Sequence, residues 1–246
     1  MTVYFVSDMH LGGLNDALPR VCRFVDRIPS PSTLYFLGDT FDFAIGHAIL
    51  TDQKLESFWT SIQQATARGV RCIFLMGNHD PDLGPWVERS GAERSTSGVI
   101  LCDQIRVWIG HGDVEVTAST YKRTLCALTH RPWVLKMARA IPFKLMMLWL
   151  KGYQRCRRFN SAPIQLSSRI NQFFNDRLFD AADVVILGHF HHPFYGIQHV
   201  NQRERRLLVL GDWRCYGNCV RYCQGKFEFL EEKSPDSWIA RSPCEL

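Results

Sequence analysis

The sequence has no uninterrupted apolar run of the ~18 residues that a membrane-spanning helix needs. Its nearest approach, Ile141-Pro-Phe-Lys-Leu-Met-Met-Leu-Trp-Leu150, is broken by Pro142 and Lys144. There is no CxxC pair, no internal repeat, no low-complexity tract and no GxSxG-type motif. These absences exclude a thiolate zinc site of the usual spacing, a solenoid and a serine hydrolase built on a nucleophile elbow. No charged segment followed by an apolar core opens the chain. Thr2-Val-Tyr-Phe-Val-Ser7 runs at once in a strand-like pattern, so no secretory leader is expected. The cysteines are odd in number and scattered: Cys22, Cys72, Cys102, Cys126, Cys156, Cys215, Cys219, Cys223 and Cys244. Together these features predict free thiols in a reducing, cytoplasmic setting. The spacing Cys215-x3-Cys219-x3-Cys223 invites a metal reading, but the local pattern is strand-like and suits buried or half-buried thiols better.

Acidic residues are nearly missing from one stretch. Residues 118–178 hold twelve Lys/Arg and one acid, Asp176, a net of +11. The rest of the 246-residue chain nets −6, so the formal charge of +5 joins two opposed parts. At 46% apolar and 22% charged residues the composition is that of a globular protein, which excludes a disordered or collagen-like chain. The length suits one large domain, or one domain carrying an insertion.

Residues 2–7, 33–37 and 70–76 read as buried strands, and 14–28 and 52–68 as helices between them. Strand–helix–strand alternation predicts an α/β sheet with parallel pairs. Residues 98–109 read as a further strand pair turning near Asp103-Gln104. From 118 to about 180 the pattern is helical. Tyr121, Leu125 and Leu128 form one apolar stripe; Met137, Ile141, Leu145 and Leu148 form another; a third helix is expected over 163–179. Strand signals return at 183–187, 194–200, 206–210, 217–223 and 226–230, and the tail from Glu231 is expected to be loosely held. The economical picture is a single α/β domain over 1–246 interrupted by a helical insert at 118–178.

Five polar clusters follow apolar strands directly: Asp8-Met-His10, Gly38-Asp39-Thr-Phe-Asp42, Gly77-Asn78-His79-Asp80, Gly110-His111-Gly-Asp113 and Gly188-His189-Phe-His191. Ligands of open α/β sheets gather outside the carboxyl ends of strands, so the clusters should meet in one pocket. Imidazoles mixed with carboxylates suit Mn, Fe or Zn better than Ca or Mg, which prefer all-oxygen shells. So many donors exceed the needs of one ion and are about right for two. One such His is by itself usually an ordinary surface or core residue; the specificity lies in the joint pattern.

The order DxH, GDxxD, GNHD, GHGD, GHxH resembles the calcineurin-like metallophosphoesterases over the whole α/β body. The resemblance implies an α/β/β/α sandwich of two mixed sheets. It also implies two divalent ions, Mn foremost. One ion would be held by Asp8, His10 and His191 and the other by Asn78, His111 and His189, with Asp39 bridging. Asn78 and His79 would meet the substrate, and His79 would stand near the scissile phosphate with its ring oriented by Asp80. Two such ions clamp a phosphoryl group, and a bridging hydroxide can attack phosphorus in line while a protonated imidazole serves the leaving oxygen.

Within that superfamily the chain is most similar to the UDP-2,3-diacylglucosamine diphosphatases of lipid A synthesis. These carry a basic helical lid between the GHGD and GHxH motifs, where this chain has its cationic insert. Tyr121, His130-Arg-Pro-Trp133, Arg157-Arg-Phe-Asn160-Ser161 and Gly211-Asp-Trp213 also resemble that group. The implied reaction releases UMP and 2,3-diacylglucosamine 1-phosphate from a nucleotide-linked lipid. Many members have Arg where this chain has His79, and an Asp pair where it has Ala118-Ser119.

Three readings of the insert stay open. It can be a solvated basic hairpin packed on the body. It can be a nucleic-acid face, though no recognised nucleic-acid module accompanies the charge. Or it can be a lid for an anionic amphiphile, with Tyr121, Arg157, Asn160 and Ser161 touching the substrate and the Ile141–Leu150 segment meeting acyl chains. The third uses charge and apolarity together. It places the protein in the cytoplasm, peripherally on an anionic inner-membrane surface. Another phosphodiester, pyrophosphate or nucleic acid is the alternative substrate, and the sequence points to no protein partner.

Overall fold

The computed structural model describes residues 1–13, 17–45, 55–113, 131–142, 145, 178–200, 202–234 and 237–241. The amino-terminal strands β1 (Thr2–Val6), β2 (Ser32–Leu37) and β3 (Val70–Leu75) pair in parallel. Helices α1 (Leu18–Arg27) and α2 (Glu56–Ala67) alternate with them, as the apolar periodicity predicts. Pro19 lies in the first turn of α1, where its missing N–H costs nothing. A short helix α3 (Trp86–Arg89) leads to β4 (Glu93–Arg94) at one edge. The hairpin β5 (Gly98–Cys102) and β6 (Ile105–Gly110) turns at Asp103-Gln104 as expected. Then come β7 (Val184–Leu187), β8 (Phe194–Val200), β9 (Arg203–Val209), β10 (Asn218–Cys223), β11 (Lys226–Ser234) and β12 (Ser237–Arg241).

Two mixed sheets result, ordered β12-β11-β10-β1-β2-β3-β4 and β5-β6-β7-β9-β8. Alternation along β1 shows how they stack. Tyr4 and Val6 face α1 and α2, in a core with Phe24, Phe36, Phe58, Trp59 and Phe74. Val3 and Phe5 face the other sheet, against Val107, Ile109, Val184, Ile186 and Leu208. The far side of the second sheet carries Trp108, Val185, Leu187, Leu207 and Val209 beneath Phe179 of the helix Leu178–Ala181. Helix, sheet, sheet and helix stack in that order, the α/β/β/α sandwich the resemblance implies. A strand buried on both faces has no polar alternation, and for that reason Val184–Leu187 reads as one apolar run.

The carboxyl end of the chain departs from expectation. Instead of a loose tail from Glu231, β11 continues to Ser234 and β12 adds an edge strand. Trp238 explains the difference: its half-buried ring lies 5.1 Å from Phe24 and 6.0 Å from Trp213, centroid to centroid, so packing on the core outweighs the local Ser-Pro signals.

Among the described residues Cys22, Cys72, Cys102, Cys215, Cys219 and Cys223 form no disulfide. Cys219 is buried in the helix-side core, Cys215 is exposed, and none of the three spaced cysteines joins a metal-competent group among the described residues. Burial pushes the Cys72 and Cys102 thiols up to about 12, which makes them inert packing groups.

Most of the insert lies outside the described residues, including Tyr121, Leu125, Leu128, Leu148, Arg157, Asn160, Ser161 and the expected helix before Leu178. The described piece contains a helix, Pro132–Arg139, with Trp133, Met137, Ile141 and Leu145 exposed near one-turn spacing.

Candidate metal centre

Strand ends deliver every cluster to one seam between the sheets. β1 leads to Asp8 and His10, β2 to Asp39, β3 to Asn78, His79 and Asp80, β6 to His111, and β7 to His189 and His191. Asp8, His10, Asp39, His189 and His191 have φ between 48° and 70°. That left-handed conformation is uncommon outside glycine and costs about 1–3 kcal/mol where it is strained, so it persists only where the surroundings impose it. Five such residues in one pocket mark a site whose side-chain directions matter more than backbone ease.

The donor atoms converge. Asp8, His10, Asp39 and His191 each offer one ligand atom within 4.8 Å of the others. His191 Nε2 is 3.4 Å from both Asp8 Oδ1 and His10 Nε2. Next to this group, His111 Nε2 is 3.2 Å from Asn78 Oδ1 and 3.4 Å from Asp39 Oδ2. The rings of His111 and His189 are 5.1 Å apart. Asp39 therefore belongs to both groups.

Outer contacts fix the tautomers. A carbonyl can only accept, so His111 Nδ1 donates to Leu37 O at 2.9 Å and His79 Nδ1 donates to Asp42 O at 2.7 Å. Nε2, facing Asn78 and Asp39, is then the nitrogen that offers a lone pair once the ring gives up its second proton. Asp80 acts differently from the sequence expectation. Its carboxylate accepts backbone N–H groups of Gly77, Asp39, Thr40 and Phe41 at 2.7–3.2 Å, while the His79 ring is held by Asp42. Asp80 thus splices the loops after β2 and β3. Burial and the Asp39 charge push it up to about 8, against the pull of those amides.

Two polar side chains gain a role the sequence did not assign. Asp42 Oδ1 lies 3.6 Å from His10 Nδ1, and Asp212 Oδ2 lies 3.3 Å from His191 Nδ1. Both sit just past strands, Asp42 after β2 and Asp212 after β9, so the strand-end rule that picked out the other clusters also reaches them.

The profile of the calcineurin-like phosphoesterases matches residues 1–193. This chain belongs to that family. Curated relatives named UDP-2,3-diacylglucosamine hydrolase align over most of both chains. The Actinobacillus succinogenes protein is 31% identical, covering 85% of this chain and 91% of its own. The Nitrosococcus oceani protein is 30% identical over 87% and 88%, and the Vibrio cholerae protein 27% over 90% and 95%. The chain is a metal-dependent hydrolase.

The residues of this phosphoesterase fit divalent ions. Asp8 Oδ1 is buried without any hydrogen-bond partner, and His10 and His191 aim ring nitrogens at each other. Ligand atoms ~2.1 Å from a common centre are about 3–4 Å apart, the spacing seen here. Glycine keeps the space open. A Cβ on Gly188 would strike the Ser7 hydroxyl and come 2.6 Å from Asp8 Oδ2, and one on Gly77 would strike the Asp39 carboxylate. Gly188→Ala should therefore displace Asp8 and cost about 1–3 kcal/mol, a Tm loss of roughly 2–12 °C, together with weaker metal binding. An unchanged Tm and affinity would contradict this packing.

Protonation before metal entry divides the imidazoles. Burial holds His10 well below the usual range and His189 at about 3, so both are neutral and ready to coordinate. Burial opposes charge on His111 too, but Asp39 and Asp8 outweigh it and hold this ring well above its ordinary value. On His191 burial is likewise outweighed, by Asp212 and Asp8. An ion must displace the protons on those two rings. Metal uptake near pH 6.5 should then release up to about two protons, and affinity should fall as pH falls, because the proton competes below each raised pKa. Calorimetric titration in buffers of different ionisation enthalpy reads the release; a buffer-independent heat would contradict it.

Proposed function

We propose that this phosphoesterase hydrolyses the pyrophosphate linkage of UDP-2,3-diacylglucosamine to UMP and 2,3-diacylglucosamine 1-phosphate. The observation that carries the reading is the alignment with hydrolases named for that substrate, which covers 85–90% of this chain and so extends into the cationic insert. In this reading Asp8, His10 and His191 hold one ion, Asn78, His111 and His189 the other, and Asp39 both, with manganese the favoured metal. When bound, two such ions neutralise phosphoryl oxygens and make a coordinated water acidic.

The chain's own residues do the rest. Asp39 and Asp8 supply the negative charge that retains the dications, in a seam where both are almost fully buried. His79 keeps its Nδ1 proton on Asp42 O, so Nε2 alone is available to give a proton to the leaving oxygen. The insert would close over the lipid, with Tyr121, Arg157, Asn160 and Ser161 on the nucleotide and sugar. Exposed Trp133, Met137, Ile141 and Leu145 would take the acyl chains or dip into the surface of an anionic membrane, aided by neighbouring Arg131 and Lys136. No helix among the described residues is long and apolar enough to cross a membrane, so attachment to the cytoplasmic face of the inner membrane would be peripheral.

The test is UMP release from UDP-2,3-diacylglucosamine followed by mass spectrometry. Activity should vanish with a chelator and return with Mn. Absence of UMP with Mn present, alongside turnover of a simple phosphodiester, would assign the centre to a different substrate.

A further inference from the structure

The turn after β9 touches both loops that carry the ligands Asp8, His10 and His191. The Asp212 N–H donates to His191 O at 3.2 Å, and the Trp213 N–H donates to Asp8 O at 3.1 Å. The Asp212 carboxylate then reaches the His191 ring, 3.3 Å from Nδ1. Asp212 is itself tied down from three sides. Its carbonyl accepts the N–H groups of Cys215 and Tyr216 at 3.1 and 2.8 Å. Oδ1 accepts the Arg214 N–H at 2.8 Å. The Arg214 guanidinium grips both carboxylate oxygens, with Nε at 3.0 and 2.9 Å. Asp212 is 3% exposed, so an unpaired charge there would be costly, and Arg214 offsets it.

Three other rings are held differently. His111 and His79 donate to backbone carbonyls, and His10 Nδ1 faces Asp42 Oδ1 only at 3.6 Å and makes no hydrogen bond. A carboxylate held against an imidazole N–H fixes the ring's tautomer and orientation and increases its basicity as a ligand.

We infer that Asp212, clamped by Arg214, is the positioning residue for the ion held by Asp8, His10 and His191. It sets the His191 ring so that Nε2 faces Asp8 and His10, and it does not touch Asn78, His111 or His189. The inference rests on the two-ion reading above and extends it, because it makes the two ions separable by a residue that binds neither.

The experiment is calorimetric titration of the metal-free full chain with Mn, on wild type, Asp212→Asn and Arg214→Met, with circular dichroism and Tm on each. Asp212→Asn keeps the shape and loses the charge. It should weaken one of the two binding steps by about 10–100-fold and leave the other within about twofold. Arg214→Met should shift the same step in the same direction by a smaller factor. Asp212→Glu, which restores the charge, should recover part of the loss. Unchanged affinities in Asp212→Asn would overturn the inference, and so would equal weakening of both steps, since that is what general loosening of the fold produces. If Asp212→Asn fails to fold, Arg214→Met decides by the same criterion. Wild type binding fewer than two ions would instead overturn the two-ion reading.

Discussion

Asp39→Ala should strip both ions and lower kcat/KM by more than about 10³-fold, beyond the ~10²–10³ lost with a single transition-state donor. The reason is position. Asp39 Oδ2 is 3.4 Å from His111 Nε2 and 4.0 Å from His10 Nε2, so one carboxylate faces both halves of the centre. Burial alone would disfavour its charge, but His111, His79 and His10 surround it and hold it well below the usual carboxylate range. It is therefore ionised when metal arrives and, in the proposed two-ion assignment, would supply negative charge to both dications. In the same assignment His191 would serve one ion only, so His191→Ala should retain about one equivalent. Metal content measured by mass spectrometry after gel filtration separates the cases. Two full equivalents on Asp39→Ala, with native circular dichroism, would contradict the shared role. Asp39 Oδ1 also accepts the His79 N–H at 2.8 Å, so Asp39→Asn, which keeps the shape, is the companion that isolates charge from loop geometry.

His79→Ala should lower kcat by about 10²–10⁴-fold while metal content stays near that of wild type. His79 is 7% exposed, with Nε2 4.0 Å from Asp39 Oδ2, and it also lies with His10 and Asp42 in a group close enough to hold an ion, so metal content separates a proton donor from a ligand. Its backbone N–H and its Nδ1 are both engaged, so proton transfer from this ring would run through Nε2. His79→Gln should fail to rescue, because an amide cannot exchange a proton at neutral pH. A loss of metal equal to the loss of turnover would make His79 a ligand instead.

The pocket was legible in the sequence to the extent that it follows from local pattern. The parallel strands are buried on both faces, so they appear as apolar runs such as Val184–Leu187, and the polar residues that end them are the site. The sandwich itself needed the resemblance, since strand signals do not reveal that Val3 and Phe5 face a second sheet. What stayed hidden depends on contacts distant in sequence. Asp212 reaches His191 because β7 and β9 pair with Leu187 opposite Val209, a register that no short motif encodes. The resemblance implies that Asp80 orients the His79 ring; its carboxylate turns instead to four amides of two loops, a satisfaction rule that only the assembled backbone reveals. The edge strand Ser237–Arg241 owes its order to Trp238 against Phe24, a tertiary term set against turn-forming Ser-Pro pairs.

Five strand ends would assemble the proposed two-ion centre and join it at Asp39. Anomalous diffraction at the manganese edge from Mn-soaked crystals tests this most directly. Two peaks about 3.5–4 Å apart are expected. One should lie against Asp8, His10 and His191, the other against Asn78, His111 and His189, with Asp39 reaching both. A single peak under saturating Mn, or peaks held by other residues, would contradict it.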